Sequence, residues 1–331
     1  MKTIAFFNNK GGVGKTSLVY HLAWILGELD YRVVAADLDP QANLSGMFLN
    51  EAQLEKIWNN KNGMTIDGSI APLFDGVGDI EEQPHIEKIE ERIALLAGSL
   101  ALSKREDELS TQWPICLDGK PRAFRVMTAF ARLISSAGAN FQADFVLIDV
   151  GPNLGAINRA ALIASDYVVI PLAPDLFSLQ GLRNVGPTLM DWRSAWKERA
   201  KKKPKDLAID LPKGEMKPLG YIVMRHSVIR NRPVQAFLRW IEKIPTEYNK
   251  SVIGKDDNSP QQQIKDDPNL LAHLKDYRSL MPMAQEANKP MFMLKPADGV
   301  IGAQQNAVTS CYRDFRSLAE TIIERIKKKH K

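Results

Sequence analysis

Lys10-Gly11-Gly12-Val13-Gly14-Lys15-Thr16-Ser17 stands between an apolar run, Met1 to Phe7, and a stretch, Leu18 to Leu29, whose apolar residues recur at helical spacing. The run reads as a short buried strand and the stretch as a helix. A strand that breaks into a glycine turn before a helix is the setting of a phosphate-binding loop. Backbone geometry supplies the chemistry: Gly11, Gly12 and Gly14 let consecutive N–H groups converge on a phosphate, and the helix N-terminus adds partial positive charge. Within that pattern Lys15 reaches the β- and γ-phosphates, the Thr16 hydroxyl takes Mg²⁺, and Val13 and Ser17 complete the cradle. The general spacing of such loops wants glycine at position 9, where this chain has Asn9, a residue that tolerates a left-handed turn. Beside it stands a second lysine, Lys10.

Two more strands end in carboxylates. Arg32 to Asp37 reads as a buried strand running into Asp37-Leu38-Asp39-Pro40-Gln41-Ala42-Asn43, and its end falls where open α/β sheets bind ligands. Asp144-Phe145-Val146-Leu147-Ile148-Asp149 is a parallel-sheet strand closing on an aspartate, the Walker B arrangement, whose carboxylate commonly holds a water on nucleotide-bound Mg²⁺.

The remaining elements are read by periodicity. Helices are expected over Glu51 to Trp58, Ile86 to Ile93, Arg122 to Ile134, Ala160 to Ala164, Leu179 to about Lys201, Pro233 to Ile244 and Gly302 to Lys328. Strands are expected at Ile93 to Ser99 (as a central strand) and Tyr167 to Ile170. The lysine- and proline-rich Lys201 to Lys217 and the polar Thr246 to Pro268 read as exposed excursions.

Taken together these stretches resemble the ParA/Soj/MinD ATPases, whose loop reads K-G-G-x-G-K-[ST]. The resemblance is carried by the loop, by D-x-D-P-Q-x-N at Asp37 to Asn43, by Asp144 to Asp149, by Pro171-Leu172-Ala173-Pro174 with Ser178 to Leu182, and by Glu286-Ala287-Asn288-Lys289-Pro290. It departs from them at Asp149-Val150-Gly151-Pro152, where the family has D-T-P-P. The resemblance implies an α/β P-loop NTPase fold, a mostly parallel twisted sheet flanked by helices on both faces. It also implies one domain over residues 1–331, with insertions around 50–90, 200–217 and 246–278.

The same resemblance implies ATP hydrolysis with Mg²⁺ and a homodimer formed on ATP binding. Lys10 then crosses the dimer interface to the partner's phosphates. Asp39 orients the attacking water and, with Thr16 and Asp149, belongs to the metal's surroundings, whereas Asp37 is structural or lies behind the metal. The resemblance further implies a helix over Leu102 to Leu109 and a late strand over Gly220 to Arg225, at whose end Met224 and Arg225 flank the adenine.

Composition sets the outer bounds. The 331 residues are 44% hydrophobic and 25% charged, as in a globular protein with a substantial core. No run of about 18 apolar residues suggests a membrane span, and the N-terminus does not read as a signal peptide. Cys116 and Cys311, far apart, imply a reducing, cytoplasmic setting. The five histidines are scattered, so a zinc site is not expected. Net charge is +5, but eight lysines lie in two clusters, at 201–205 and 327–331, and the remainder is slightly acidic.

Three uses of the ATP switch compete. In the first, the ATP dimer binds DNA non-specifically through Arg225, Arg230, Arg232, Lys327, Lys328 and Lys329, and a ParB-like or other partner protein stimulates hydrolysis. A MinD-like membrane cycle would use the C-terminal helix, where Leu318, Ile322, Ile323 and Ile326 face one way; core packing explains the same stripe more simply. The third is an assembly or signalling subunit whose insertions bind dedicated partners.

Overall fold

The computed structural model describes residues 1–60, 63–224, 239–255, 264–277 and 279–328. Eight strands form one sheet in the order β3-β4-β2-β5-β1-β6-β7-β8. They are β1 (Lys2–Phe6), β2 (Val33–Asp37), β3 (Glu87–Glu90), β4 (Ile93–Leu96), β5 (Phe145–Asp149), β6 (Tyr167–Leu172), β7 (Lys217–Met224) and β8 (Leu270–Leu274). All neighbouring pairs are parallel except β3 with β4. A parallel sheet needs cover on both faces, and the alternation of side chains along β1 shows how it is met. Ile4 and Phe6 join one apolar cluster, while Ala5 and Phe7 join the other.

The first cluster is closed by α1 (Lys15–Glu28) and α12 (Ala303–Lys328). On the opposite face lie α4 (Ile66–Phe74), α5 (Glu106–Ile115), α6 (Pro121–Met127), α7 (Ala129–Asn140), α8 (Ala156–Ile163) and α9 (Leu176–Ala200). Short helices α2 (Asn43–Phe48) and α3 (Glu51–Trp58) follow β2, while α10 (Ile244–Tyr248) and α11 (Met281–Glu286) flank β8 in the chain.

Several expectations are corrected. Ile86 to Ile93 is no helix: β3 pairs antiparallel at the sheet edge, its half-exposed charged residues suiting an edge strand. The strand at Ile93 is fully buried yet second from the edge, not central. Leu102 to Leu109 divides into a 3₁₀ turn, Leu100–Arg105, and the start of α5. Arg122 to Ile134 is two helices, because Thr128 (φ −101°, ψ 4°) donates its hydroxyl to the Phe124 carbonyl at 2.7 Å and breaks the run.

The excursions are less exposed than their composition suggests. In the 201–216 stretch Leu207 and Met216 are buried, and the indole N–H of Trp196 donates to the Pro212 carbonyl at 2.9 Å. Between 246 and 268, Tyr248, Val252 and Asp267 are buried, so the polar reading of that segment fails where it packs under α9. The helix expected at Pro233 to Ile244 lies largely outside the described residues.

That packing leaves no room on α9 at Gly186, where a Cβ would fall 1.9 Å from the Ser251 carbonyl oxygen. In a helix interior Ala normally gains about 1 kcal/mol over Gly, whereas overpacking costs about 1–3 kcal/mol. Gly186→Ala is therefore expected to destabilise the protein by about 1–2 kcal/mol in urea denaturation. Gly46→Ala, in α2 with nothing within 4 Å, should be neutral or stabilising.

Candidate nucleotide site

The strand register brings the site together. Phe6 on β1 lies opposite Asp149 on β5, and Asp149 lies opposite Asp37 on β2, so the loop after β1 and both carboxylates emerge at one edge of the sheet. Helix α1 starts at Lys15, earlier than the apolar periodicity implies, on a left-handed Gly14 (φ 84°). Its first turn has no side-chain cap, leaving amide N–H groups aimed at the loop. Gly12 (φ 72°) is the other left-handed position, and Asn9, which could tolerate such a conformation, does not adopt it.

Asn8 braces the loop: its side-chain amide donates to the Pro171 carbonyl at 2.7 Å, and its Oδ1 accepts the Lys10 N–H at 3.0 Å. The buried Lys15 ammonium donates to the Asn8 carbonyl at 3.3 Å. Burial lowers its affinity for a proton, and the Asp149 and Asp39 carboxylates offset this.

A cavity of about 770 Å³ opens above the loop, lined by Gly11, Gly12, Gly14, Lys15, Thr16 and Ser17. One wall carries Asp39, Gln41 and Asn43, and another Met281, Gln285, Asn288 and Lys289. A smaller cavity of about 140 Å³ behind Gly12, Val13 and Gly14 is lined by Met224, Leu274, Tyr277 and Phe315. Arg225 lies outside the described residues.

The wall at 281–289 had no local sequence signal beyond its family resemblance, and its link to the loop is a buried histidine. His21 on α1 donates from Nδ1 to the Ser17 carbonyl at 2.6 Å and accepts the Met291 N–H on Nε2 at 3.1 Å. Burial pushes its pKa down to about 4, so the ring stays neutral.

Beneath Lys15 the carboxylates crowd. Burial, then the neighbouring Asp37 charge, pushes Asp149 up to about 8, against the pull of the Thr16 hydroxyl and Lys15. Burial also pushes Asp37 up to about 7, although Ser45 donates to its Oδ2 from both N–H and hydroxyl at 2.7 Å. Both Asp149 oxygens are buried, and the Thr16 hydroxyl beside them makes no well-formed hydrogen bond to either. No group of three or more His, Cys, Asp or Glu among the described residues could enclose an ion. Orphaned carboxylate oxygens next to a threonine hydroxyl and a phosphate loop fit Mg²⁺, which takes one or two protein oxygens and completes its shell with water and phosphate. Thr16 and Asp149 could hold it, with Asp39 on the cavity wall beyond.

Lys10 is not among the cavity-lining residues: its ammonium forms an ion pair with Asp175, ahead of α9. The basic candidates are not drawn to this edge either. Lys327 is exposed and Lys328 pairs with Glu324 at 2.6 Å, near the amino end of β7, where Arg325 donates to the Leu219 carbonyl. Met224 closes the other end of that strand. Arg230, Arg232 and Lys329 lie outside the described residues.

A family profile described as an AAA domain matches residues 1–201. The chain belongs to this family of ParA-like ATPases. It is 32% identical over 196 residues to protein IncC of Escherichia coli, covering 58% of this chain and 47% of that one. To the sporulation initiation inhibitor protein Soj of Bacillus subtilis it is 30% identical over 182 residues, 55% of this chain and 62% of that one. The chain thus spans between about half and just under two thirds of the length of these relatives. Its fold is similar over 98% of its length to a Corynebacterium diphtheriae protein (99% of that chain, TM-score 0.73, 25% identity). It is also similar in fold to pNOB8 ParA (TM-score 0.64, 20% identity, 99% of each chain).

The carboxylate pair has a measurable signature. A buried acid with a raised pKa takes up a proton on folding, so without nucleotide the fold loses stability as pH rises from the ordinary value of 3.8 towards about 8. Asp149→Asn should therefore melt close to wild type at pH 5 and higher than wild type at pH 8.5, as read by thermal unfolding of the nucleotide-free protein. A gap independent of pH would show that Asp149 is ionised throughout.

Proposed function

We propose that this chain is a Mg²⁺-dependent ATPase whose ATP-bound form pairs with a second copy, and that the pair positions or partitions DNA. What supports the reading most is the division of labour between the loop's two lysines. Lys15 is buried within its own loop, whereas Lys10 stands outside the cavity with 29% of its side chain exposed. One cation serves the subunit's own phosphates, and the other is available to a neighbour's.

Phosphoryl transfer to water asks for positioning and neutralisation of charge more than covalent chemistry. Here the amides of Gly11 to Thr16 and the Lys15 ammonium hold the triphosphate. Asp39, on the cavity wall, orients the attacking water. Asp149 and the Thr16 hydroxyl would hold the metal's shell, and Mg²⁺ when bound would neutralise phosphate charge. Met224, which lines the smaller cavity, flanks the base. Closing two copies around two nucleotides links dimer formation to ATP, and hydrolysis to release.

DNA as the surface acted on is suggested by the partition proteins that this fold resembles, among them a Borrelia burgdorferi plasmid partition protein bound to AMPPNP (TM-score 0.59, 18% identity, 99% of each chain). Lys327 and Lys328, with Arg225, Arg230, Arg232 and Lys329, are the proposed phosphate contacts, and a ParB-like or other adaptor is the proposed stimulating partner. Segments 50–90, 200–217 and 246–278 are candidate surfaces for it. A membrane cycle is less favoured, because Leu318, Ile322, Ile323 and Ile326 are buried in the core. Withdrawing those four would cost about 6–12 kcal/mol, comparable to the whole stability of a domain. No helix among the described residues is long and apolar enough to span a bilayer.

Lys10→Ala should bind nucleotide near normally yet stay monomeric with ATP in sedimentation velocity; ordinary dimerisation would remove its role across the interface. Asp39→Ala should accumulate the ATP dimer, and unchanged turnover would take Asp39 out of the mechanism. DNA titrations at two salt concentrations, with ATP, ADP and no nucleotide, should show binding only with ATP, weakening steeply with salt. Absence of DNA binding would favour the assembly or signalling use instead.

A further inference from the structure

We infer that Asp175 is a positioning residue for Lys10: it clasps the loop's first lysine on its own subunit, and the phosphates of a second copy must win that lysine away. The inference rests on the proposed role of Lys10 across the dimer interface. Lys10 and Asp175, 165 residues apart, form an ion pair through Asp175 Oδ2. The carboxylate's other oxygen, Oδ1, accepts the Ser178 N–H at 2.8 Å and caps α9. Its backbone is tied down as well, since the Asp175 N–H donates to the Ala173 carbonyl at 2.9 Å. The Phe177 ring, 70% exposed, lies 5.6 Å from the Lys10 ammonium.

The energetics suit a clasp that opens. The two side chains are 29% and 37% exposed, so solvent screens the pair and its strength is modest. Asp175 does not become a stranded buried charge when Lys10 leaves: the N-terminus of α9 continues to stabilise it through the cap and the helix dipole. The lysine in turn exchanges one carboxylate for a triphosphate carrying several negative charges. Two copies closing on two nucleotides open two clasps, so the clasp counts twice against dimer formation and raises the threshold at which the switch closes.

The test is Asp175→Asn, which keeps an oxygen to cap Ser178 but removes the charge. Monomer–dimer equilibria are measured by sedimentation velocity with Mg²⁺ and a non-hydrolysable ATP analogue, for wild type, Asp175→Asn, Lys10→Ala and the double variant. Asp175→Asn should lower the dimer dissociation constant about tenfold, roughly threefold for each of two clasps. The double variant should stay monomeric as Lys10→Ala does, and the gain of Asp175→Asn over wild type should shrink as salt rises and screens the clasp, a dependence that a merely structural effect on α9 would not show. Asp175→Ser, which also caps, repeats the measurement should the Asn variant fold poorly.

An unmoved or weakened dimer in Asp175→Asn, beside a monomeric Lys10→Ala, overturns the clasp while leaving the role of Lys10 intact. Normal dimerisation of Lys10→Ala overturns that role and the clasp together.

Discussion

Asp37 and Asp149 lie opposite each other on adjacent parallel strands, both wholly buried, and Asp149 has no well-formed hydrogen bond to either oxygen. Two such carboxylates under a low-dielectric roof repel each other and are poorly solvated, so the site demands positive charge. The phosphate loop answers that demand from above: Lys15 is held where it feels Asp149 and Asp39 together. The rest of the sheet keeps this arrangement in place. Its register sets the carboxylates side by side, and Gly98, whose Cβ would sit 2.7 Å from the Asp37 carbonyl oxygen, lets the next strand's end approach them.

The cavity's far wall is a second consequence of burial. His21 reaches from α1 to the Met291 N–H, stacks 5.0 Å from Phe315 and meets Phe292 edge-on at 5.7 Å. Both ring nitrogens are used, so a charged ring would lose the Met291 hydrogen bond. The contribution of this contact is present above the ordinary histidine value of 6.5 and is lost as pH falls towards about 4. The helix that carries the phosphate loop is thereby fastened to a segment 270 residues later.

Much of this was legible before any coordinates. The loop, β1, β2 and β5 are short-range features: continuous apolar runs buried on both faces, each ending in glycine or a carboxylate. Edges and breaks were harder to read. Glu87-Lys88-Ile89-Glu90 is charged because it is an edge strand, and in so short a segment that pattern also fits a helix turn. The split at Thr128 turns on one hydroxyl bonding back to Phe124, an alternative that periodicity does not register. In the lysine-rich strap and the segment before β8, a few buried side chains, Leu207, Tyr248 and Val252 among them, do the packing while composition reports the exposed majority.

The sequence by itself determined the chemistry that is local: which backbone can bend around a phosphate, which lysines and hydroxyl stand next to it, and which strands end in acid. Only the tertiary structure decided which distant groups meet. Strand order placed β6 beside β1, and so put Asp175 within reach of Lys10. The same topology carried Lys327 and Lys328 towards the amino end of β7, away from Met224 at its carboxyl end. The reason is physical: a dihedral preference acts over a few residues, whereas a contact across 165 of them exists only after the sheet has chosen its neighbours.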